Sequence, residues 1–385
     1  MKILIVWQYY QKYLDHFYNN VLTSHEINFE EHISSFFQDH FGWPSDLAQY
    51  MDNIGLDVTF VISNAEFSQK QWANENNFSN FSKKNWEKEI LYEQIRRIKP
   101  DFLWLNSINL FGEFVRRVKP FCKKIITWIS HEISDDLDFS DISILLTSQA
   151  DILGKKSSYF EKVLVTNPGF NQRILEKLDR PIKKNEFIFI GSFTKFHKKR
   201  VEILAYLVKN GIDVKIFGNI LNERKNTNFK KLMGDIFKRR DIDKAIKTIT
   251  NYSEDSKYID NLKYILKVCQ KPVFGLEYYK VLSEAQIGLN IHSDISGDHA
   301  DNMRMFETTG VGTCLMTTES PKNIKVFKPG KEILTFKSKE HLLDILINRV
   351  SNKTDIKQIS KAGQERTLKH HTIENMYDNI KEIFM

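Results

Sequence analysis

A short stretch near residue 300 brings together residue types that can grip a charged, hydroxylated ligand. Asn302, Arg304 and Glu307 belong to a predicted helix that Asp301 or Asn302 caps and that Gly310 and Gly312 bring to an end. Residues three apart share one helix face, so Arg304 and Glu307 are neighbours there. A guanidinium suits phosphate oxygens, and a carboxylate accepts hydrogen bonds from adjacent hydroxyls. As a plain exposed ion pair the same two side chains would contribute only about 0.3 kcal/mol.

A second set of candidates surrounds a predicted strand–turn–helix junction. Gly191 and Ser192 follow the apolar run Glu186 to Ile190, and backbone N–H groups at such a turn can approach phosphate oxygens. Lys195 and Arg200 are near enough in sequence to neutralise a leaving diphosphate, and Arg200 has the planar donor fork that phosphate prefers. An ordinary turn between a strand and a helix would look the same, because no complete glycine-rich phosphate motif occurs.

Histidines supply the remaining candidates for catalysis. His131 follows the predicted strand Lys124 to Ile129 at its carboxyl end. A lone histidine at such a position is commonly a surface or capping residue when it has no catalytic role. His25 and Glu26 are alternatives for a general base on an acceptor hydroxyl.

The elements that must position these residues alternate between strands and helices. This alternation predicts parallel sheets with helices on both faces, and ligands bound outside the carboxyl ends of the strands. We place a first domain at residues 1–178, a charged linker at 179–185, a second domain at 186–371 and a final helix at 372–385. The strands predicted in the first domain are Ile3 to Val6, Asp57 to Ile62, Asp101 to Leu105, Lys124 to Ile129, Ile144 to Leu146 and Val163 to Val165. Those predicted in the second domain include Glu186 to Ile190, Asp213 to Phe217, Gln286 to Ile291 and Ile333 to Phe336.

These motifs resemble the carboxyl-terminal domain of GT-B glycosyltransferases, in particular the spore-maturation-type group. The resemblance rests on Asn-x-Arg-x-x-Glu at Asn302, Arg304 and Glu307, on Ile190-Gly191-Ser192 with Arg200, and on the run from Phe274-Gly275 to Asn290-Ile291-His292. It covers roughly the last half of the chain.

The resemblance implies two Rossmann-like domains whose parallel sheets face an interdomain cleft. The second domain would bind a nucleotide-diphosphate sugar, with Glu307 on the ribose and Gly191, Ser192, Lys195, Asn302, Arg304 and Thr308 completing the donor site. His131, Arg200 and Glu307 would be the catalytic residues, and the last helix would return to the first domain.

One position departs from the family pattern. Many retaining relatives have a second glutamate eight residues before the ribose-binding one, where this chain has His299. Asp298 and Asp301 lie close enough to substitute for it.

Length and composition limit the class of protein. At 385 residues, 41% of them hydrophobic, the chain is long enough for two cores. Three cysteines without CxxC spacing argue against a disulfide scaffold or a zinc site, which indicates a cytoplasmic protein. We find no apolar run long enough for a signal peptide or a membrane span.

Part of the net charge of +7 is concentrated in one segment of the chain. Residues 221–247 hold nine Lys or Arg against four acids, within a predicted helical insertion at about 221–267. Such a segment is typical of a solvent-exposed helical insertion. It also suits peripheral contact with an anionic membrane surface, or contact with a phosphate-bearing acceptor.

We therefore predict transfer of a sugar from a nucleotide-diphosphate donor to a hydroxyl of a glycan, lipid-linked or protein acceptor. No cofactor or metal is expected, because positive side chains can stabilise the leaving diphosphate. The triplets Asp136-Leu137-Asp138 and Asp241-Ile242-Asp243 are interpreted as solvated acids, and retention of configuration as the stereochemical outcome.

A sugar-nucleotide epimerase on the same fold is the main alternative. A two-lobed binding protein is another, and no nucleic-acid partner is expected because no recognition motif is evident.

Overall fold

The chain folds into two compact units. The first comprises residues Met1–Asn171, Phe274–Leu276 and His371–Met385, and the second comprises Gln172–Val273 and Glu277–His370. None of the described helices is long and apolar enough to cross a membrane. The computed structural model describes residues 1–22, 24, 27–106, 110–130, 137–149, 157–179, 183–194, 197–220, 256–292, 294, 302–348 and 353–385.

Six parallel strands form the sheet of the first unit, in the order β2-β1-β3-β4-β5-β6. The order reverses at β1, which pairs with β2 on one side and β3 on the other. The continuous apolar runs of these strands suit a sheet covered on both faces. Their bounds are β1 Lys2–Trp7, β2 Asp57–Ile62, β3 Phe102–Leu105, β4 Lys124–Trp128, β5 Ile144–Thr147 and β6 Lys162–Val165.

Helices of the first unit include several that the sequence analysis did not predict. Asn28 begins one of them with a capping box, in which its side chain accepts from the Glu31 N–H and the Glu31 carboxylate accepts from the Asn28 N–H. The helical segments are α1 Gln11–His16, a π-helical turn Phe17–Val21, α2 Phe29–Asp39, α3 Trp43–Asn53, α4 Glu66–Glu75, α5 Trp86–Ile98, α6 Glu113–Val118 and a 3-10 turn Lys119–Phe121.

Aromatic rings dominate the carboxyl ends of the first sheet. The Trp43 ring lies 5.1 Å from that of Trp7, 6.0 Å from that of Trp104 and 5.0 Å from that of Trp128. Trp7 and Trp128 are the last residues of β1 and β4, and Trp104 is the last but one of β3. Trp43 is only 6% exposed, so this end of the sheet is packed with apolar surface.

The end of the chain completes the first unit. Phe170 donates its N–H to the His371 carbonyl (2.8 Å) and accepts from the Ile373 N–H (3.1 Å). Thr372 then caps the helix α15 (Ile373–Ile380), which continues as a 3-10 turn at Lys381–Phe384.

The sheet of the second unit also has six parallel strands, in the order β12-β11-β10-β7-β8-β9. Counted within the unit this is the doubly wound order 3-2-1-4-5-6, and it reverses between β7 and β10. Ligands in such sheets bind outside the carboxyl strand ends at this reversal. The strands are β7 Asn185–Phe193, β8 Val214–Ile220, β9 Cys269–Gln270, β10 Ala285–Asn290, β11 Cys314–Thr318 and β12 Leu334–Phe336.

Helices flank this second sheet, and residues from several of them pack in one apolar core with its strands. Those described are α7 Ile174–Lys177, α8 Lys198–Lys209, α9 Ser256–Val268, α10 Gly275–Ser283, α11 Arg304–Gly310, α12 Asn323–Val326, α13 Lys339–Asn348 and α14 Lys353–His370. The predicted α/β fold with two parallel-sheet domains is confirmed.

One local prediction in this unit is wrong. Gly191 and Ser192 do not form a turn, because β7 continues through Phe193 and pairs Gly191 with Gly218 of β8. A Cβ at Gly191 would lie 2.9 Å from the Phe189 ring, and one at Gly218 would lie 2.3 Å from the Phe193 ring. These glycines make room for aromatic rings within the sheet instead of ending its strands.

Candidate functional site

Arg200 joins the two strands at which the second sheet reverses. Its Nε and Nη2 donate to the Ile291 carbonyl (2.9 and 2.7 Å), and its Nη1 donates to the Ser192 carbonyl (2.7 Å). Ser192 lies at the carboxyl end of β7, and Ile291 directly follows β10. Three of the five guanidinium N–H groups thus fix both strand ends at the reversal.

Burial makes the charge of Arg200 costly. The residue is 9% exposed, and its guanidinium lies 5.5 Å from the centre of the Phe189 ring. Burial, and then the positive charge of Arg304, lower the pKa of Arg200 from 12.5 to about 9. The nearby Asp294 and Tyr258 act in the opposite direction. Two guanidinium groups near one another form a region that favours an anion.

The helix α8, which carries Arg200, begins beside a carboxylate. Asp294 accepts from the backbone N–H groups of Lys198 (2.6 Å) and Lys199 (3.2 Å). It thereby satisfies helix donors that have no partner within the helix. His197, the residue before the helix, has its pKa lowered from 6.5 to about 3 by burial and then by the charge of Arg200.

Glu307 accepts hydrogen bonds from two consecutive tyrosines of α10. The Tyr278 hydroxyl donates to its Oε2 at 2.8 Å, and the Tyr279 hydroxyl donates to its Oε1 at 3.2 Å. Glu307 is 7% exposed and sits on α11 close to that helix's amino end. The alternative of a plain exposed ion pair with Arg304 therefore does not describe its environment.

Arg304 lies against the same tyrosine pair. Its guanidinium carbon is 5.1 Å from the centre of the Tyr278 ring, a cation–π distance. Its Nη1 is buried and has no hydrogen-bond partner among the described residues. Buried donors are normally matched by an acceptor, so this N–H group is available to a ligand, a water molecule or an ion.

Amide and imidazole groups fill the carboxyl ends of β10 and β11. Asn302 and Asn290 exchange side-chain hydrogen bonds, both of 3.1 Å. The Asn290 amide also donates to His292 Nε2 (3.4 Å), which is 3.1 Å from the Thr317 hydroxyl. Asn302 does not cap α11 as predicted; Met303 precedes that helix without a side-chain cap.

His292 is held neutral in this cluster. Burial, and then the charge of Arg200, lower its pKa from 6.5 to about 3. It can therefore offer a lone pair or an N–H to a neighbour, but not a positive charge, at neutral pH.

Thr308 lies apart from these groups. It is buried, and a Cβ on Gly288 of β10 would lie 2.7 Å from its Cγ2. Close packing of α11 on β10 thus sets how near Arg304 and Glu307 come to the strand ends.

The structure brings Arg200, Arg304, Glu307 and Asn302 to the carboxyl side of the second sheet, and it places Gly191 and Ser192 in β7. Several predicted site residues lie outside the described residues and keep the status of predictions: Lys195, His131, His25, Glu26, Asp298, His299 and Asp301, together with the triplet 241–243 and residues 221–255 of the insertion.

Sequence reasoning did not find three of the groups that complete this cluster. Tyrosine rings in a helix such as that of Tyr278 and Tyr279 more often pack half-buried than line a groove for an acceptor, and their partner Glu307 is remote in sequence. Asp294 was not singled out. Their position in the chain was the available signal. Tyr278 and Tyr279 lie in the helix before β10, Asp294 lies shortly after β10, and both segments reach the carboxyl edge of the sheet.

The family comparison matches the part of the chain that holds this cluster. Residues 200–382 match the model of the glycosyl transferase-like family. No curated protein sequence matches the chain.

Solved structures resemble the whole chain. HepE of Anabaena, in complex with UDP and glucose, is 10% identical with a TM-score of 0.57, and the alignment covers 100% of this chain and 99% of HepE. A glycosyltransferase of Rickettsia africae is 13% identical with a TM-score of 0.55, covering 100% and 97%. AviGT4, a glycosyltransferase of avilamycin A biosynthesis, is 11% identical with a TM-score of 0.55, covering 99% and 96%. At these identities the likeness establishes the fold.

Proposed function

We propose that this chain is a GT-B glycosyltransferase that transfers a monosaccharide from a UDP-sugar to a hydroxyl of a glycan or glycoconjugate acceptor. The glycosyl transferase-like match over residues 200–382 and the fold shared with solved glycosyltransferases support this recognition and the use of a nucleotide sugar. The spore-maturation-type group stays a prediction. UDP enters the proposal because HepE binds UDP and UDP-glucose on the same fold.

One observation carries the proposal: two arginines and a buried carboxylate converge at the reversal of the second sheet. Arg200 holds the ends of β7 and β10 and contributes positive potential. Arg304 has a buried N–H group without a partner among the described residues, which suits a phosphate oxygen. Glu307 suits the two ribose hydroxyls, because a carboxylate accepts from both.

In the proposed reaction the bond between the anomeric carbon and the diphosphate oxygen breaks, and the acceptor oxygen forms a bond to that carbon. Positive groups aimed at the diphosphate stabilise the charge that develops on it. We propose that this transfer is retaining and independent of metal. His131, in the first unit, is proposed to contact the donor sugar.

The acceptor and the location of the reaction are also part of the proposal. The acceptor is a glycan, lipid-linked or protein hydroxyl on the cytoplasmic side of a membrane. The basic segment 221–247 would bring the enzyme to anionic lipid.

Calorimetric titration with UDP, GDP, CMP and dTDP tests the donor site directly. We expect UDP to bind, and Glu307→Gln to weaken its binding about tenfold, because a hydrogen bond to a charged group contributes about 1.5 kcal/mol. Glu284→Gln is the matched control, since Glu284 pairs with Lys184 just before β10, at the opposite edge of the sheet.

Transfer is measured by release of UDP from UDP-sugars with and without a glycan acceptor, and NMR of the product gives its anomeric configuration. Absence of binding to all four nucleotides, together with absence of UDP release, would overturn the proposed function. An inverted product would overturn the retaining mechanism alone.

A further inference from the structure

A cavity of about 350 Å³ lies between α2 and α4 of the first unit. We call it the α2–α4 pocket. Its volume is within the range of about 300–1,000 Å³ that small-molecule sites have. The lining residues are His32 of α2 and Glu66, Phe67, Lys70 and Gln71 of α4. None of them is among the residues assigned to the donor, so a ligand of this pocket would be a second ligand.

Phe67 lies on the outward side of α4. Its neighbours Ser68 and Gln69 are fully buried, whereas Phe67 is 56% exposed. A single exposed phenylalanine is ordinary on a protein surface, but this one lines a cavity and is one of three neighbouring rings. The centre of the Tyr18 ring is 4.9 Å from that of Phe67 and 6.1 Å from that of His32. The pocket therefore has an aromatic wall.

Polar groups of both signs accompany this wall. Glu66 and Lys70 form an ion pair at 2.6 Å, and their side chains are 55% and 47% exposed. A pair this exposed contributes little to stability, so both groups can turn towards a ligand at little cost. Gln71 adds an amide that both donates and accepts hydrogen bonds. Because one carboxylate and one ammonium balance, the pocket favours a neutral ligand rich in hydroxyls over an ion.

Hydrogen bonds hold the two helices of the pocket together. The Glu75 carboxylate of α4 accepts from the Phe29 N–H at the start of α2 (3.0 Å) and from the Gln71 amide (2.8 Å). An N–H in the first turn of a helix has no partner within that helix, so this carboxylate stabilises the start of α2. The walls are thus fixed before a ligand enters, which lowers the entropic cost of binding.

A pyranose ring matches this combination of surfaces. Its C–H groups form an apolar face, which the negative face of an aromatic ring attracts. Its hydroxyls donate to a carboxylate and accept from an ammonium or an amide N–H. We infer that the α2–α4 pocket binds one sugar ring of a neutral saccharide, with Phe67 against the ring and with Glu66, Lys70 and Gln71 at the hydroxyls.

The inference rests on the proposed function in one respect, which is that this saccharide is part of the acceptor glycan. It deepens that function by naming a neutral sugar ring as the part of the acceptor that the first unit recognises. The saccharide binding itself depends on the residues of α2 and α4 alone.

Saturation-transfer NMR on the full chain measures the binding of uncharged probes, namely the methyl glycosides of glucose, galactose, mannose and N-acetylglucosamine. We expect at least one to bind in the absence of UDP. Phe67→Ala should weaken that binding about tenfold, because it removes the stacking surface. Glu66→Gln should weaken it about threefold, through a weaker hydrogen bond. In transfer assays the KM for a glycan acceptor that carries this sugar should rise in parallel, while the donor KM stays unchanged.

Tyr159→Ala is the matched control, because Tyr159 is an aromatic residue of the first unit that is 60% exposed and lies outside the pocket lining. Its affinities for the glycosides and for UDP should equal those of the wild type. The methyl glycosides of glucuronate and glucosamine carry one charge of either sign, and they should bind more weakly than the best neutral probe. Melting temperatures report folding, and Glu66→Gln changes only an exposed side chain if Phe67→Ala unfolds.

The outcomes separate the two claims. A wild type that binds none of the neutral glycosides, or equal binding by the wild type and the folded pocket variants, would overturn the inference and leave the proposed function standing. Equal weakening in Tyr159→Ala, or tighter binding of a charged probe, would also overturn it. Glycoside binding that depends on Phe67, in a protein that binds no nucleotide and releases no UDP, would overturn the proposed function and keep the saccharide site.

Discussion

The two units share one plan of sheet and differ in what stands at its carboxyl edge. In the first, Trp43 packs against tryptophans from β1, β3 and β4. In the second, Arg200 holds the ends of β7 and β10 through three hydrogen bonds. Both sheets reverse their strand order near these residues.

The difference shows how one architecture is used for two purposes. Aromatic rings close the first edge with dispersion and apolar burial, which contribute stability and little charge. The buried guanidinium at the carboxyl edge of the second sheet provides positive electrostatic potential at the edge where α/β sheets bind ligands. We expect changes at the first edge to alter stability alone, and changes at the second edge also to alter binding at the proposed donor site.

Replacing Trp43 with alanine should have the largest effect on stability. Loss of a buried tryptophan costs about 3–5 kcal/mol, so we expect unfolding of the first unit at much lower denaturant concentration. UDP affinity of the folded protein should not change. Denaturant titration and calorimetry measure both, and a parallel loss of UDP affinity would break the proposed division of roles.

Arg200→Lys should destabilise the second unit by about 2–4 kcal/mol, because lysine cannot satisfy the carbonyls of Ser192 and Ile291 together and each unsatisfied group costs about 1–3 kcal/mol. Arg116→Lys is the matched control, since the Arg116 side chain is 62% exposed in its pair with Asp138. Thermal unfolding gives the comparison. Equal melting temperatures for the two variants would contradict a bridging role for Arg200.

Acidification should weaken the second unit through His292. Its folded pKa of about 3 lies below the ordinary 6.5, so protons bind preferentially to the unfolded chain, and stability that is complete above pH 6.5 falls as the pH drops towards 3. From pH 6.5 to 5 the loss should be about 2 kcal/mol, at about 1.4 kcal/mol per pH unit. His197 has the same lowered pKa, so His292→Gln should remove about half of the slope that the two histidines produce in denaturant titrations at pH 7.5 and 5. A variant with the wild-type slope would show that other groups carry it.

Chelation should have the smallest effect. If arginines alone hold the diphosphate, excess EDTA leaves the rate of UDP release unchanged. The measurement is the transfer rate before and after dialysis against EDTA, with added Mg²⁺ and Mn²⁺ as the reverse test. A rate that falls on chelation and recovers with either ion would assign the diphosphate to a metal.

Much of the element pattern could be predicted from local signals. The strand Asp57–Ile62 has the predicted bounds, because its apolar residues and the preceding Gly55 mark it. The helix Phe29–Asp39 was not predicted, although Asn28 and Glu31 carry a capping-box signal.

The errors concern residues whose partners are distant along the chain. The local sequence predicts that Gly191 is a turn residue, but in the structure it lies in β7 and pairs with Gly218 of β8. Asn302 looks like a helix cap until β10 brings Asn290 within 3.1 Å. Glu307 carries no local signal for its hydrogen-bond partners, because Tyr278 and Tyr279 of α10 precede it by 29 and 28 residues. Local propensity cannot anticipate such contacts, because tertiary packing overrides it.

The contact between Gly288 and Thr308 has a consequence for engineering. A methyl group at position 288 would lie 2.7 Å from Thr308, and something must shift to admit it. The substitution Gly288→Ala would thus move the segment that bears Arg304 and Glu307 without altering either residue. Substitutions at this position are therefore expected to alter the proposed donor site without replacing any of its residues, and temperature-sensitive alleles are expected there.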